Sequence, residues 1–416
     1  MRKWLIILTL HQSLALYSQA PTYFEHVEPI INNNCIPCHR PGGMGPFSLG
    51  SYEDVSRRGK FIGHVTKIRY MPPWKADLNF QSYKNQRFLK QEEIDLIQQW
   101  VASGMPKGKN KKSRSTKEII DVRLRPDLTL SMNTTFTIPS TSVEEFRFFS
   151  IPTNLPSDVY LSGIDFVPGN KRQVHHSRIM TDSTQKIRGI NGMSELDPAI
   201  KSFQNIALTD EFLYGWIPGN EGIFFPAGTG KKLYKGTDLV LNIHYSPSSK
   251  VQHDQSSVRL FFAKSAVQRE VKTLTLRESD IANQPFFIPA QSEPSFYINY
   301  LVENDISLIS VMPHMHFLGK SFVALASTPS GETIPLIRIE NWDFNWQSTY
   351  IFKNLLKIPA GSTIHVAANY DNTSKNKTNP NHPPKDVTYG WNTIDEMCNL
   401  IIYYVDYREG DESVEN

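Results

Sequence analysis

The chain has 416 residues, of which 39% are hydrophobic and 11% aromatic, enough to bury more than one core. Its 44 basic and 41 acidic residues leave a formal charge of +3, a near-balanced surface that gives no argument for a nucleic-acid partner. Three cysteines are too few for a disulfide framework in a chain of this length.

The N-terminus opens MRKWLIILTLHQSLALYSQA. Arg2 and Lys3 precede the apolar run from Trp4 to Leu10, and small residues follow at Ser18 and Ala20. This is the layout of a secretory signal peptide over 1–18. The run is too short to span a bilayer. The expectation is an exported protein, periplasmic or otherwise extracytoplasmic, with no membrane span after signal removal.

Cys35-Ile36-Pro37-Cys38-His39 is a C-x-x-C-H motif, the spacing that attaches one c-type haem. Two thiols add to the two porphyrin vinyl groups, and the next residue offers an imidazole to the iron. Zinc would need a second pair of soft ligands nearby, and a thioredoxin-like dithiol would need a βαβ context; neither is read here. Tyr23, Phe24, Val27, Ile30 and Ile31 recur at helical spacing before the motif. Leu89, Ile94, Ile97, Trp100 and Val101 do so in a later helix that stops at Gly104. A small all-α domain over 21–107 is expected. Met44, Met71, Met105, His26 and His64 are the candidate sixth ligands, and Met71 is preferred because two prolines pin the chain behind it. FEHVEPIINNNCIPCHRPGGMGPFSLGSYEDV, then YMPPW and a Leu-Ile-Trp-Val helix, resembles a bacterial class I-type cytochrome c domain of the kind fused to larger enzymes.

Residues 108–117 continue a basic, polar run that reads as solvated linker. Beyond it the pattern changes. FRFFSIP, DLVLNIHYSP, SVRLFFA, ISLISVMPHMHF and STIHVAANY are short β-branched and aromatic stretches separated by Pro, Gly, Asn and Ser. Regularly spaced short strands predict β-sandwiches. A polar, proline-bearing join near 278–295 divides them into two all-β, jelly-roll-like domains over 118–275 and 276–408.

Five of the twelve histidines fall in three groups in this region: His175-His176, His244, and His314-x-His316. Side chains alternate along a strand, so His314 and His316 share a face and can bite one ion. His175 and His176 would point apart on a regular strand and need a bulge or a strand end to share a metal. Imidazole suits zinc and copper alike. A blue-copper centre would need a cysteine beside two histidines, and Cys398 has none near it in sequence.

QVHHSRIM, LNIHYSP, MPHMHFLGK, YDNT and TIDEMCNLIIYY occur in that order. Together they resemble the copper type II, ascorbate-dependent monooxygenases, the family of the peptidylglycine α-hydroxylating and dopamine β-monooxygenases. The resemblance implies two copper ions. His175, His176 and His244 would hold an electron-transfer copper. His314, His316 and Met397 would hold the oxygen-binding, catalytic one, the thioether stabilising Cu(I). It further implies hydroxylation of a C–H bond of a small molecule or peptide with O2, and a reductant. The haem would feed the coppers, replacing or supplementing ascorbate. The animal enzymes are disulfide-rich and this chain is not. Ala368 stands where the partner of Cys398 would lie, so Cys398 is expected to be a buried thiol. Residues for peptide or catecholamine recognition are not matched. The competing readings are a non-catalytic copper and haem electron carrier, and a zinc hydrolase on the same histidines.

Overall fold

The computed structural model describes residues 20–416, apart from 42, 44, 85, 110–124, 195–196, 202–210, 219, 221 and 391–392. The signal peptide at 1–18, the candidate ligand Met44 and nearly all of the linker at 108–117 lie outside the described residues. Two compact units result, one within 1–72 and 88–120, the other within 73–87 and 121–416.

In the first unit a single π turn, Tyr23–Val27, runs into α1, Glu28–Asn34. Then come α2, Tyr52–Arg57, α3, Gly59–Lys67, and α4, Gln91–Ala102. Ser51 caps α2 by accepting from the Asp54 amide at 3.1 Å. Val27, Ile31, Val55, Ile97 and Trp100 are buried together, at the helical spacing that the sequence displays. Trp100 Nε1 donates to the Pro106 carbonyl at 3.1 Å, so the buried indole keeps its polar partner.

The second unit is built from mostly antiparallel sheets. One orders the strands Glu145–Pro152, Asp238–Tyr245, Val174–Asp182 and Glu211–Trp216. A second orders Lys272–Leu276, Asn399–Asp406, Ile306–His314 and Tyr350–Ile358. A third orders Ser295–Leu301, Thr363–Tyr370, Gly319–Ser327 and Thr333–Ile339. A six-stranded sheet is organised around Val159–Val167 and Ser257–Phe262. The second and third sheets share one core, where Leu308, Val311, Leu400 and Ile402 meet Phe322, Ala324, Val366 and Ala368. All eight residues of Asp238–Tyr245 are buried, so both faces of that strand are covered. Cys398 is buried and forms no disulfide.

This architecture corrects the expected fold class, an all-α cytochrome c domain followed by two jelly-roll-like sandwiches. Among the described residues the chain is mostly β, 38% strand against 15% helix, with small sheets set in a four-bladed, propeller-like ring, and no all-α cytochrome c domain is seen at the N-terminus. The physical reason lies in residues 73–87. Trp74 of the YMPPW stretch packs its ring 5.0 Å from Tyr350, and Tyr83 donates its hydroxyl to the Leu336 carbonyl at 2.7 Å. Asp77 donates its amide to Arg338 O at 2.8 Å. Aromatic and proline residues that look like part of a helical domain are used as core of the β unit. Helical periodicity before and after them does not reveal that exchange. Strand alternation, for its part, reports that faces are buried and not how the sheets are arranged.

Arg269 and Asp411 form a buried fork–fork pair, with Nη1 to Oδ2 at 2.6 Å and Nη2 to Oδ1 at 2.9 Å. Ser307 Oγ and the Arg408 amide also donate to Asp411, at 2.6 and 3.0 Å. Burial alone would push the Asp411 carboxyl up, but these donors hold it below the usual carboxylate range. Asp411→Asn should strand a buried guanidinium and cost about 3–5 kcal/mol. The check is the urea midpoint, expected to fall with an unchanged m-value.

Among the described residues no helix is long and apolar enough to cross a membrane.

Candidate metal centre

His176 and His244 face each other on neighbouring strands, and the register slips between Val174 and His176. Two residues on one strand thus oppose one on the other around His175, the geometry of a bulge. The bulge lets adjacent histidines turn to the same side. Their Nδ1 atoms converge: 3.2 Å from His175 to His244, 3.4 Å from His175 to His176, and 3.1 Å from His176 to His244. His244 is fully buried under Phe146, whose ring stacks on it at 4.1 Å and 5°.

The outward nitrogens decide what the inward ones can do. His175 Nε2 lies 3.2 Å from Asn345 Oδ1, and Asn345 Nδ2 donates to Asp343 Oδ1, which fixes that amide with its oxygen toward the imidazole. His244 Nε2 lies 3.2 Å from Glu144 Oε2, within ion-pair range but off hydrogen-bond alignment. His175 Nε2 therefore faces an acceptor and carries the proton, which leaves its Nδ1 as a lone pair aimed at the other two rings. The three histidines form a group whose ligand atoms lie close enough together to hold one cation. The donor set fits a metal of the imidazole-binding class. Burial, and the nearby His244, push His175 down to about 4; burial holds His176 well below its ordinary value. Glu144 is pushed up by burial but pulled further down by His244 and by a hydrogen bond from Thr393.

The second cluster stands at the end of the strand Ile306–His314, where His314 pairs with Asn399. The His314 and His316 rings lie 5.1 Å apart at 84°. His314 Nδ1 meets Gln347 Oε1 at 2.5 Å, and Gln347 Nε2 donates to the Phe344 carbonyl, which orients the amide. His316 Nδ1 donates to the Asp395 carbonyl at 3.0 Å. Both Nδ1 protons are thereby fixed and both Nε2 lone pairs are left to bind. Burial lowers His314 to about 4 and His316 well below its ordinary value. Met397 is buried; its amide and that of His316 donate to the same Glu396 oxygen, at 3.1 and 2.8 Å. This brings the main chain of Met397 beside the second cluster. Met315 faces away, buried in the shared apolar core.

Glu144, Trp342, Phe344, Asn345, Gln347 and Glu396 are not found by reading the sequence. Four of them belong to NWDFNWQ, a stretch that serves both clusters. Trp342 Nε1 donates to the His316 carbonyl at 3.1 Å. The Phe344 ring lies 5.6, 6.0 and 5.8 Å from the rings of His175, His176 and His316. The two histidine clusters therefore meet the same aromatic side chain. The only signal in the sequence is a short segment with two tryptophans, polar residues between them and no strand alternation.

In the helical unit the His39 amide donates to the Cys35 carbonyl at 2.8 Å, closing one turn over the C-x-x-C-H motif. His39 Nδ1 lies 3.0 Å from the Phe47 carbonyl, which places the proton on Nδ1 and leaves Nε2 as an acceptor. A Cβ on Gly45 would sit 2.5 Å from His39 Nδ1, so the ring needs glycine there. Neither cysteine of the motif is in a disulfide. Thiols and imidazole thus fit a covalently held haem. Met71 is half-buried after α3, its amide bonded to the Val65 carbonyl at 3.2 Å. Among the described residues no hydrogen bond or ring contact ties the Met71 side chain to His39.

Residues 297–414 match the family model described as the copper type II ascorbate-dependent monooxygenase, C-terminal domain. The match spans His314, His316 and Met397. It supports that family, a copper-dependent monooxygenase family, for this part of the chain. No curated protein matches the chain. Among solved structures, the chain is similar to the major capsid protein P2 from bacteriophage PM2, at 8% identity and a TM-score of 0.24 over 65% of this chain and 100% of that one. It is also similar to the infectious bursal disease virus VP2 subviral particle, at 10% identity and a TM-score of 0.18 over 70% and 75%. A Paenibacillus xanthan lyase follows at 9% and 0.17, over 68% of this chain and 25% of that one. Scores this low carry no argument about function.

Proposed function

We propose that the chain is a copper monooxygenase that hydroxylates a C–H bond of an organic substrate with O2 and an external reductant. The observation that carries this is the convergence of the His175, His176 and His244 Nδ1 atoms within 3.1–3.4 Å of one another, beside a second cluster whose Nε2 lone pairs are left open. Copper, when bound, would supply one-electron chemistry and the activation of dioxygen. His175, His176 and His244 would hold one ion in an all-imidazole set. His314, His316 and Met397 would hold the other, and the soft thioether favours the reduced state. The chain contributes fixed tautomers: Gln347 and the Asp395 carbonyl keep the protons of His314 and His316 on Nδ1. The buried Phe344 ring lies against imidazoles of both clusters. A zinc hydrolase on the same histidines is separated by metal analysis after loading with a mixture of both ions: zinc without copper would overturn the copper reading.

The C-x-x-C-H motif supports covalent haem at Cys35 and Cys38, with His39 as an iron ligand, in an exported protein whose first 18 residues are removed. The haem would be the electron source for the coppers. The double variant Cys35→Ala, Cys38→Ala should yield protein whose haem is extracted by acidified acetone, whereas the parent retains its haem absorbance. Rapid mixing of the reduced parent with O2 tests the relay; a haem that stays reduced while product forms would contradict it.

A further inference from the structure

We propose that Glu396 is the positioning residue that assembles the His314–His316–Met397 site from two distant chain segments. The inference rests on reading those three side chains as copper ligands. Glu396 is 0% exposed. Its Oε2 accepts from the amides of His316, at 2.8 Å, and Met397, at 3.1 Å. Its Oε1 accepts from the Leu318 amide at 2.6 Å. His316 and Glu396 lie 80 positions apart in the chain, so one carboxylate oxygen fixes the main chain of an imidazole ligand and of the thioether ligand at one point.

The chemistry explains why a carboxylate serves here. The two oxygens of a carboxyl group have room for several donors. Each donor facing Glu396 is a main-chain N–H, so no side-chain rotamer can relax away. His314 is set separately, by its pairing with Asn399 and by Gln347, and needs no help from Glu396. The segment from His316 to Leu318 leaves the strand, and the residues before Asn399 enter the next one. Among the described residues the ladder between them ends at the His314–Asn399 pair. Beyond it the two segments are joined by the Glu396 carboxyl and by the His316 Nδ1 bond to the Asp395 carbonyl. A glutamine must turn an NH2 against at least one of these amides, leaving buried donors opposed. An aspartate keeps both oxygens but is one methylene too short to reach both segments.

The test uses the full chain, loaded with copper and reduced, as parent, Glu396→Gln and Glu396→Asp. Copper is counted, and X-ray absorption reads the copper–sulfur component. The parent is expected to bind two coppers, one of them with sulfur. Glu396→Gln should bind copper at that site about 10–100-fold more weakly and lose the sulfur component. The imidazole-only copper should remain, which marks the protein as folded. Should Glu396→Gln lose both ions, Glu396→Asp decides, and it is expected to keep the imidazole-only copper with diminished sulfur. Undiminished sulfur in Glu396→Gln, or loss of both coppers in both variants, would overturn the positioning role. A parent without any copper–sulfur component overturns the Met397 ligand reading itself, a result distinct from either.

Discussion

Replacing His316 with alanine is expected to reduce substrate-dependent O2 uptake by more than about 10³-fold, a loss of about 4 kcal/mol in barrier terms. The same variant should bind one copper where the parent binds two. The expected effect is large because His316 is committed on every side. It is buried, its Nδ1 proton is given to the Asp395 carbonyl, and its Nε2 is the atom left for a metal. Alanine removes the ligand without disturbing its amide, which still donates to Glu396. The fold should therefore persist, and near-ultraviolet circular dichroism should stay close to that of the parent. His244→Ala should also remove one copper, but from the all-imidazole set. Oxygen uptake that survives His316→Ala would place the reaction elsewhere.

Acid is expected to destabilise the metal-free protein well above the pH at which carboxylates titrate. Burial lowers His175 and His314 to about 4, and holds His176 and His316 well below their ordinary value. An unfolded chain takes up those protons near pH 6.5. As pH falls below 6.5, protons bind the unfolded state first, so stability present above 6.5 is lost progressively down to about 4. His175 and His314 would each contribute no more than about 3 kcal/mol to this loss. Glu396 works in the opposite sense, since burial pushes its carboxyl up to about 8 against the pull of four main-chain amides. Four histidines outweigh one glutamate, so the net slope is a loss in acid. Urea midpoints of metal-free protein at pH 7.5 and pH 5 provide the measurement. Copper binds only the unprotonated imidazoles, so loading should raise both midpoints, and more at pH 7.5. Equal midpoints for metal-free protein at both pH values would show that the histidines are not buried as described.

The histidines were legible because metal chemistry restricts residue type and spacing. Strand alternation predicts His314 and His316 together, although the strand ends at His314 and His316 is placed by the turn that follows. His175 and His176 defeat alternation, and a one-residue bulge resolves the conflict; no local residue pattern announces that bulge. Met397 was accessible only through its resemblance to a family motif, because a buried methionine carries no periodic signal. The supporting residues were not legible. Glu144, Asn345, Gln347 and Glu396 act across sheets from the histidines they orient, over separations that a single sequence does not encode. The fold class was misread: the chain is mostly β, but its small sheets form a propeller-like ring in place of two jelly-roll-like sandwiches, and no all-α cytochrome c domain is seen among the described N-terminal residues. Helical spacing around Cys35–His39 is real, but residues 73–87 leave that unit and build the β core. Local periodicity describes each segment, whereas the partner against which a segment packs depends on the whole chain.

The central claim is that one atom of O2 is placed on carbon by a copper-loaded chain. The most direct measurement is mass spectrometry of products formed under isotopically labelled O2, with reductant and small-molecule extracts of the native environment. The account predicts one labelled oxygen in an organic product and the other in water, with neither outcome in His316→Ala. O2 consumption that ends only in hydrogen peroxide or water, with no label in any organic product, would contradict it.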